Sequence, residues 1–229
     1  MKVLLFFIFV AASVAAAQAL TITPGFTFAV ASSTSDTTVG DHFHSSSGDD
    51  FGNPAGKAEV GSFFEEEVRG LSEYDLTGLG ASPTAFVTFE VNADEGLFEG
   101  QNDFAYVGGF IIKAYEGNNL EDISDYKAPS TGTVDPFSTA GLAVGDTLSF
   151  DITAICNAAI ADGDASLGIR LEITGTPNGG AWVFDTFRLT TDDRTNRPRP
   201  DTVVPAPAAL PLLAMAIGLV AATRLRRRR

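Results

Sequence analysis

Apolar and polar residues alternate with a period of two through most of the middle of this chain. In residues 85–91, Ala85, Val87, Phe89 and Val91 alternate with Phe86, Thr88 and Glu90. In residues 167–173, Leu167, Ile169, Leu171 and Ile173 face one way, and Gly168, Arg170 and Glu172 face the other. Successive side chains of a strand point to opposite faces, so each run predicts a half-buried strand. Residues 110–115, 147–152 and 181–190 predict further strands, and 59–64 and 68–76 predict weaker ones. Turn-forming clusters at 92–96, 116–119 and 176–180 separate them. Seven or eight strands bounded in this way predict an all-β fold: an antiparallel, jelly-roll-like β-sandwich.

One short helix breaks the pattern. Ile152, Ile155, Cys156, Ala159 and Ile160 recur at helical spacing and line one face, with Asp151 or Thr153 placed to cap the start and Gly163 just past the end. Cys156 is the only cysteine, so no intramolecular disulfide is available and stability must come from packing. On that apolar face the thiol reads as a small buried hydrophobe rather than a reactive group.

The two ends follow a different logic. Met1-Lys2, an apolar run and an A-x-A exit at Ala17 and Ala19 are the parts of a secretory signal peptide over 1–19, with a mature chain starting at Leu20. At the other end, residues 208–223 carry no charge and are followed by Arg224, Arg226, Arg227, Arg228 and Arg229. A helix of that length spans ~24 Å, short of a hydrocarbon core of ~30 Å. It can still lodge in a bilayer with its arginines held on the cytoplasmic side, as a short transmembrane helix that halts export. Residues 20–190 are then the sandwich domain, with 31–56 rich in loop-forming residues, 191–203 a linker and 204–229 a terminal anchor.

Val204-Pro205-Ala206-Pro207, the short apolar segment and the terminal arginines together resemble the tripartite PEP-CTERM sorting tails, in their VPLPA-type variant, with Ala206 where that variant usually has leucine. The resemblance implies a Gram-negative bacterium that makes exopolysaccharide. It also implies an exosortase-like processing enzyme that cuts near the Val-Pro-x-Pro motif and passes the body from transient anchorage in the inner membrane to the cell surface. Within the body, Arg69-Gly-Leu-Ser-Glu-Tyr-Asp-Leu76, the strand at 85–91, Leu148-Ser-Phe-Asp-Ile-Thr153, the short helix and Leu167-Gly-Ile-Arg-Leu-Glu172 follow one another in an order similar to the DNRLRE-type β-sandwich modules of bacterial surface proteins. Those modules are similar in architecture to galactose-binding-like carbohydrate modules.

Charge narrows the partners. Lys2 and the five C-terminal arginines are six of the 15 basic residues, whereas all 29 acidic residues lie between them, so residues 20–203 hold nine basic against 29 acidic side chains, a net charge of −20. Such a body is repelled by phosphate backbones, which argues against nucleic-acid binding.

The chemistry is sparse. His42 and His44, the only histidines, lie in a Ser/Thr/Gly/Asp-rich stretch and read as solvated loop side chains. Two histidines at i, i+2 on a strand can hold one metal ion, but no third ligand is marked, so no metal site is assigned. No G-x-S-x-G elbow, P-loop or H-E-x-x-H occurs. Carboxylates cluster at Glu65-Glu66-Glu67, Asp94-Glu95 and Glu121-Asp122 with Asp125. The last run is only a partial match to a Ca²⁺ loop, and no cofactor is assigned. Trp182 and Phe184 share one face of their strand, opposite Val183 and Leu189. Both faces are apolar, and core is the preferred place for Trp182. If the body contacts carbohydrate, Trp182 or the outward-facing Phe86 supplies the ring. The expected function is a non-enzymatic cell-surface or exopolysaccharide-matrix protein, ahead of a carbohydrate-binding module and a secreted glycan hydrolase.

Overall fold

The structure, a computed structural model, describes residues 20–33, 40–47, 55–176 and 178–192. Eleven strands and one α-helix follow in chain order: β1 (Leu20–Ile22), β2 (Phe26–Ser33), β3 (His42–Ser45), β4 (Ala58–Phe63), β5 (Glu66–Asp75), β6 (Ala85–Ala93), β7 (Gly109–Gly117), β8 (Ser130–Ser138), β9 (Thr147–Asp151), α1 (Thr153–Asp162), β10 (Ser166–Ile173) and β11 (Ala181–Thr191). The strand pairs are antiparallel, in the order β8-β7-β10-β5-β4-β11-β6-β9, with β2 on β5, β3 outside β2, and β1 on β11. The result is a mostly β protein whose sheet curls into a nearly closed, barrel-like or sandwich arrangement. Phe137 on β8 and Phe150 on β9, the two ends of the strand path, come within 5.0 Å between ring centroids.

The alternating patterns set this arrangement. Ala85, Val87, Phe89 and Val91 of β6 and Leu167, Ile169, Leu171 and Ile173 of β10 all enter one core. Each of these side chains other than Ala85 contributes roughly 1.5–3 kcal/mol of burial. Phe89 stacks on Phe187 at 4.8 Å, and Phe110 of β7 meets Phe184 of β11 edge-on at 5.8 Å. The outward Phe86, Thr88 and Glu90 of β6 stay half-buried and Asn92 is exposed, as the alternation predicts.

The sheet turns its corner at Gly61. This residue pairs with Ala181 of β11 and also with Val68 of β5, so β4 passes from one neighbour to the other at that point. Its φ of 147° is closed to most side chains, and a Cβ there would collide with Gly180 O and the Ala181 backbone. Beyond it, β5 pairs with β4 through Glu66, Glu67 and Val68 and with β10 from Gly70 to Asp75, while β2 runs along its other edge.

Several expectations are corrected. Gly168, Arg170 and Glu172 do face away from the core, yet all of β10 is buried, because a 3₁₀ turn at Ile123–Lys127 and its flanks cover that face. In β11, Trp182 and Phe184 point into the core as a pair, but so do Phe187 and Leu189. The register shifts between Asp185 and Arg188, where Thr186 has φ 53°, and that bulge reverses the parity of the strand. Residues 31–56 are not simply loop, since β2 extends to Ser33 and β3 lies within them.

Helix α1 has Ile152 at its N-cap with no side-chain cap bond; Asp151 instead accepts from Thr153 N–H at 2.9 Å. Gly163 closes the helix in the left-handed conformation, φ 83°. The signal segment, the linker beyond residue 192 and the C-terminal anchor lie outside the described residues, and among the described residues no helix is long and apolar enough to cross a membrane.

Cys156 is fully buried on the core side of α1, and burial pushes its thiol up to about 11. Thiol reagents should therefore label the native protein slowly and the unfolded chain fast. Cys156→Ser should cost roughly 1–3 kcal/mol in urea denaturation, since a hydroxyl there lacks the partners it has in water. Rapid native labelling would contradict the packing of this helix.

Candidate functional site

The two histidines are not loop side chains. His42 and His44 lie on β3, whose register with β2 places His42 opposite Ala31. Alternation puts both imidazoles on one face, with ring centroids 5.1 Å apart. His44 is 1% exposed. The small Ala29, Ala31 and Val68 form an apolar cluster with Phe63, and Phe63 meets the His44 ring edge-on at 5.1 Å. Phe98 meets the same ring at 4.6 Å.

A polar relay lies beneath this ring. His44 Nδ1 is 2.9 Å from Glu59 Oε2, with both side chains fully buried. The other Glu59 oxygen accepts from Asn102 Nδ2 at 2.5 Å. With Glu59 as a carboxylate, which only accepts, the proton of this contact sits on Nδ1. That leaves His44 Nε2 buried with no hydrogen-bond partner among the described residues. Asn102 is presented by the loop after β6: its carbonyl accepts from Gly96 N–H at 2.8 Å, and a Cβ at Gly96 would collide with the Asn102 amide.

The third member comes from the hairpin that joins β4 to β5. Glu66 Oε2 lies 3.7 Å from His42 Nε2, and one ligand atom each from His42, His44 and Glu66 all fall within 4.8 Å of one another. His42 and Glu66 are partly exposed, at 31% and 26%, so the cluster is buried on the His44 side and open to solvent on the other. The pKa of His42 is lowered by burial and by His44, against the opposing pull of Glu66 and Asp41. The hairpin itself is strained: Phe64, 64% exposed, sits at φ 53°, a conformation that costs a bulky residue about 1–3 kcal/mol. Two imidazoles and a carboxylate with one orphaned nitrogen are donors for a metal ion.

The residues singled out from sequence fall elsewhere. Trp182 is 4% exposed and donates its Nε1 to Tyr106 O at 2.8 Å, so it offers no free ring face. Phe86 points outward but is half-buried, opposite Asp151 and Thr190. Leu20 opens β1 against Thr191. Ala17, Ala19, the motif Val204-Pro205-Ala206-Pro207 and the arginines 224 and 226–229 lie outside the described residues. The acidic run after β7 does not converge. Glu121 binds Ser47 N–H, Asp122 accepts from Ser124 N–H, and Asp125 turns inward.

Asp125 belongs to a second buried polar cluster under the 3₁₀ turn. Glu73 accepts from Asn118 and Asn119 N–H at 3.1 and 2.7 Å and from the Ser166 and Tyr115 hydroxyls. Arg170 donates to Asp125 O at 2.6 Å and Ala128 O at 3.0 Å, and to Glu172 Oε1 at 2.6 Å. Lys113 and Arg69 also reach Glu172. Burial opposes the charge on Glu172, but Arg69, Lys113 and Arg170 outweigh it and hold its carboxyl below the usual range. Glu73, Arg170 and Glu172 are spent on backbone and on one another, which ties residues 118–128 to the sheet, while Asp125 Oδ2 is buried without a hydrogen-bond partner among the described residues.

A scan against models of known protein families finds no match, and a search of curated proteins finds none.

Burial, reinforced by Glu73 and Asp122, pushes the Asp125 carboxyl up to about 7. An acid that binds its proton more tightly when folded stabilises the fold below its unfolded value of about 4 and loses that contribution as pH rises through its folded value. Urea denaturation should show wild-type stability falling between about pH 4 and about pH 7. Asp125→Asn, neutral at every pH and able to donate to Glu73, should flatten that fall. An unchanged slope would contradict the assignment.

Proposed function

We propose that this chain is a non-enzymatic, exported protein of the cell surface or exopolysaccharide matrix, with a body built as an antiparallel, jelly-roll-like sandwich. The carrying observation is the order of parts at the C-terminus: Val204-Pro205-Ala206-Pro207, an uncharged segment over 208–223, then Arg224 and Arg226, Arg227, Arg228 and Arg229. A segment of this length with arginines behind it halts translocation with the body outside. An exosortase-like enzyme then cuts near the proline motif, ending the anchorage in the inner membrane. The apolar run ending at Ala17 and Ala19 supplies the matching entry signal.

The body suits an outside address. Its net charge of −20 over residues 20–203 favours solubility and disfavours nucleic acid. Its core needs no disulfide, since Cys156 is a packing residue. The jelly-roll reading draws support from the pairing of β8, β7, β10 and β5 on one side of the path and β4, β11, β6 and β9 on the other.

A carbohydrate-binding role is the second reading, and its supporting observation has moved. Trp182 and Phe86 are not the rings a sugar would meet; Phe64 and Phe104, 64% and 52% exposed, are. The exopolysaccharide layer is then both destination and partner.

Secreted material from the native host should begin at Leu20 and lack the terminal arginines, as read by N-terminal sequencing and intact mass. Secreted protein that still carries Met1 or Arg229 would overturn the export and processing scheme.

A further inference from the structure

We propose that His42, His44 and Glu66 form a zinc-class metal site, with Glu59 and Asn102 as the residues that position His44. This goes beyond the surface-protein reading and does not depend on it. The three donors are one atom each from two imidazoles and a carboxylate, all within 4.8 Å of one another. Around a tetrahedral ion with bonds of ~2.0–2.1 Å, ligand atoms sit ~3.3 Å apart. The His42 to Glu66 separation is already 3.7 Å. Both of those side chains are partly exposed.

An acidic cluster would not suffice for such an assignment, but the buried side of this one is built for a ligand. A metal-bound histidine characteristically donates its other ring N–H to a carboxylate, which fixes the tautomer and raises the basicity of the coordinating nitrogen. His44 Nδ1 faces Glu59 Oε2 at 2.9 Å in the position for such a bond, and Asn102 holds the Glu59 side chain in place. The nitrogen left over, Nε2, is buried and lacks a hydrogen-bond partner among the described residues. A buried polar atom without a partner destabilises a fold, and coordination removes that penalty.

The donor set also selects the ion. Ca²⁺ and Mg²⁺ take shells of oxygen ligands, whereas two imidazoles with one carboxylate suit zinc and its neighbours. Three protein ligands leave a fourth position, on the open side beside His42, Glu66 and the exposed Phe64, for water or an external carboxylate. Bound metal would tie β3 to β5 across β2, because the ligands come from the two strands that flank it.

The test uses the full chain stripped of metal with a chelator. Equilibrium dialysis should give one zinc per chain, unaffected by excess Ca²⁺, and Co²⁺ in its place should show the intense visible bands of a tetrahedral site. His42→Ala and Glu66→Gln, changes at partly exposed positions, should each weaken zinc binding by at least about tenfold with the circular dichroism spectrum retained. Glu59→Gln should weaken it by about 10–100-fold, the effect of removing a carboxylate that orients a ligand. Zinc should raise the melting temperature of the wild type and leave that of His42→Ala unmoved. The proposal fails if no saturable binding occurs at about 10 μM zinc, if binding survives both His42→Ala and Glu66→Gln, or if Ca²⁺ competes on equal terms.

Discussion

The arrangement depends on one strand having to serve three neighbours. β5 is paired with β2 along one edge, while its other edge is shared by β4 at the start and β10 from Gly70 onward. A ten-residue strand can do this only if β4 leaves it, and β4 leaves at Gly61, where the backbone takes a φ that a side chain would resist. The two halves of the strand path diverge from that point, and the aromatic core between them closes the far side, where Phe137 meets Phe150. The same parting sets the polar site. The hairpin between β4 and β5 carries Glu66 to His42, and β4 carries Glu59 to His44. Fold and site therefore share a single cause.

That site and the cluster under the 3₁₀ turn use similar residues to different ends. Around Glu73, Arg170 and Glu172, the hydrogen bonds go to backbone groups of residues 118–128 or to each other, and the segment is pinned. Around His44, Nδ1 meets Glu59, which Asn102 also binds, and the buried Nε2 is left over. Satisfied buried networks rigidify a fold; what sets His44 apart is that its unpartnered nitrogen belongs to a group of two imidazoles and a carboxylate. The strained, exposed Phe64 lies in the hairpin that carries Glu66 and packs on Phe63, which meets the His44 ring. On an acidic body, which concentrates cations near its surface, such a prepared site is a natural place for a metal ion.

The sequence displays the core more readily than the site, for physical reasons. β6 and β10 each pack one face against a single core, and period-two alternation is the direct record of that. The other face of β10 is covered by residues some forty positions earlier in the chain, Asp125 and Ala128, a long-range event that local pattern does not carry. In β11 both parities are apolar because the bulge at Asp185 and Thr186 reverses the inward side halfway along. The His42-Phe43-His44 alternation is present in the sequence, but β3 has four residues and sits among Ser, Thr, Gly and Asp, so it reads as loop. Its partners were hidden in other guises. Glu66 stands within a triple of acids that looks like solvated surface, and Glu59 takes the parity that alternation assigns to solvent, between Ala58 and Val60.

The fold alone prepares His44, with Nδ1 against Glu59 and Nε2 without a hydrogen-bond partner among the described residues. Two-bond proton–nitrogen correlation spectra of the imidazoles in metal-free protein test it directly. One histidine should show a protonated Nδ1 that exchanges slowly with water and an unprotonated Nε2, and Asn102→Ala should loosen this signature. A His44 ring protonated on Nε2 alone, or one that exchanges freely with solvent, would contradict it.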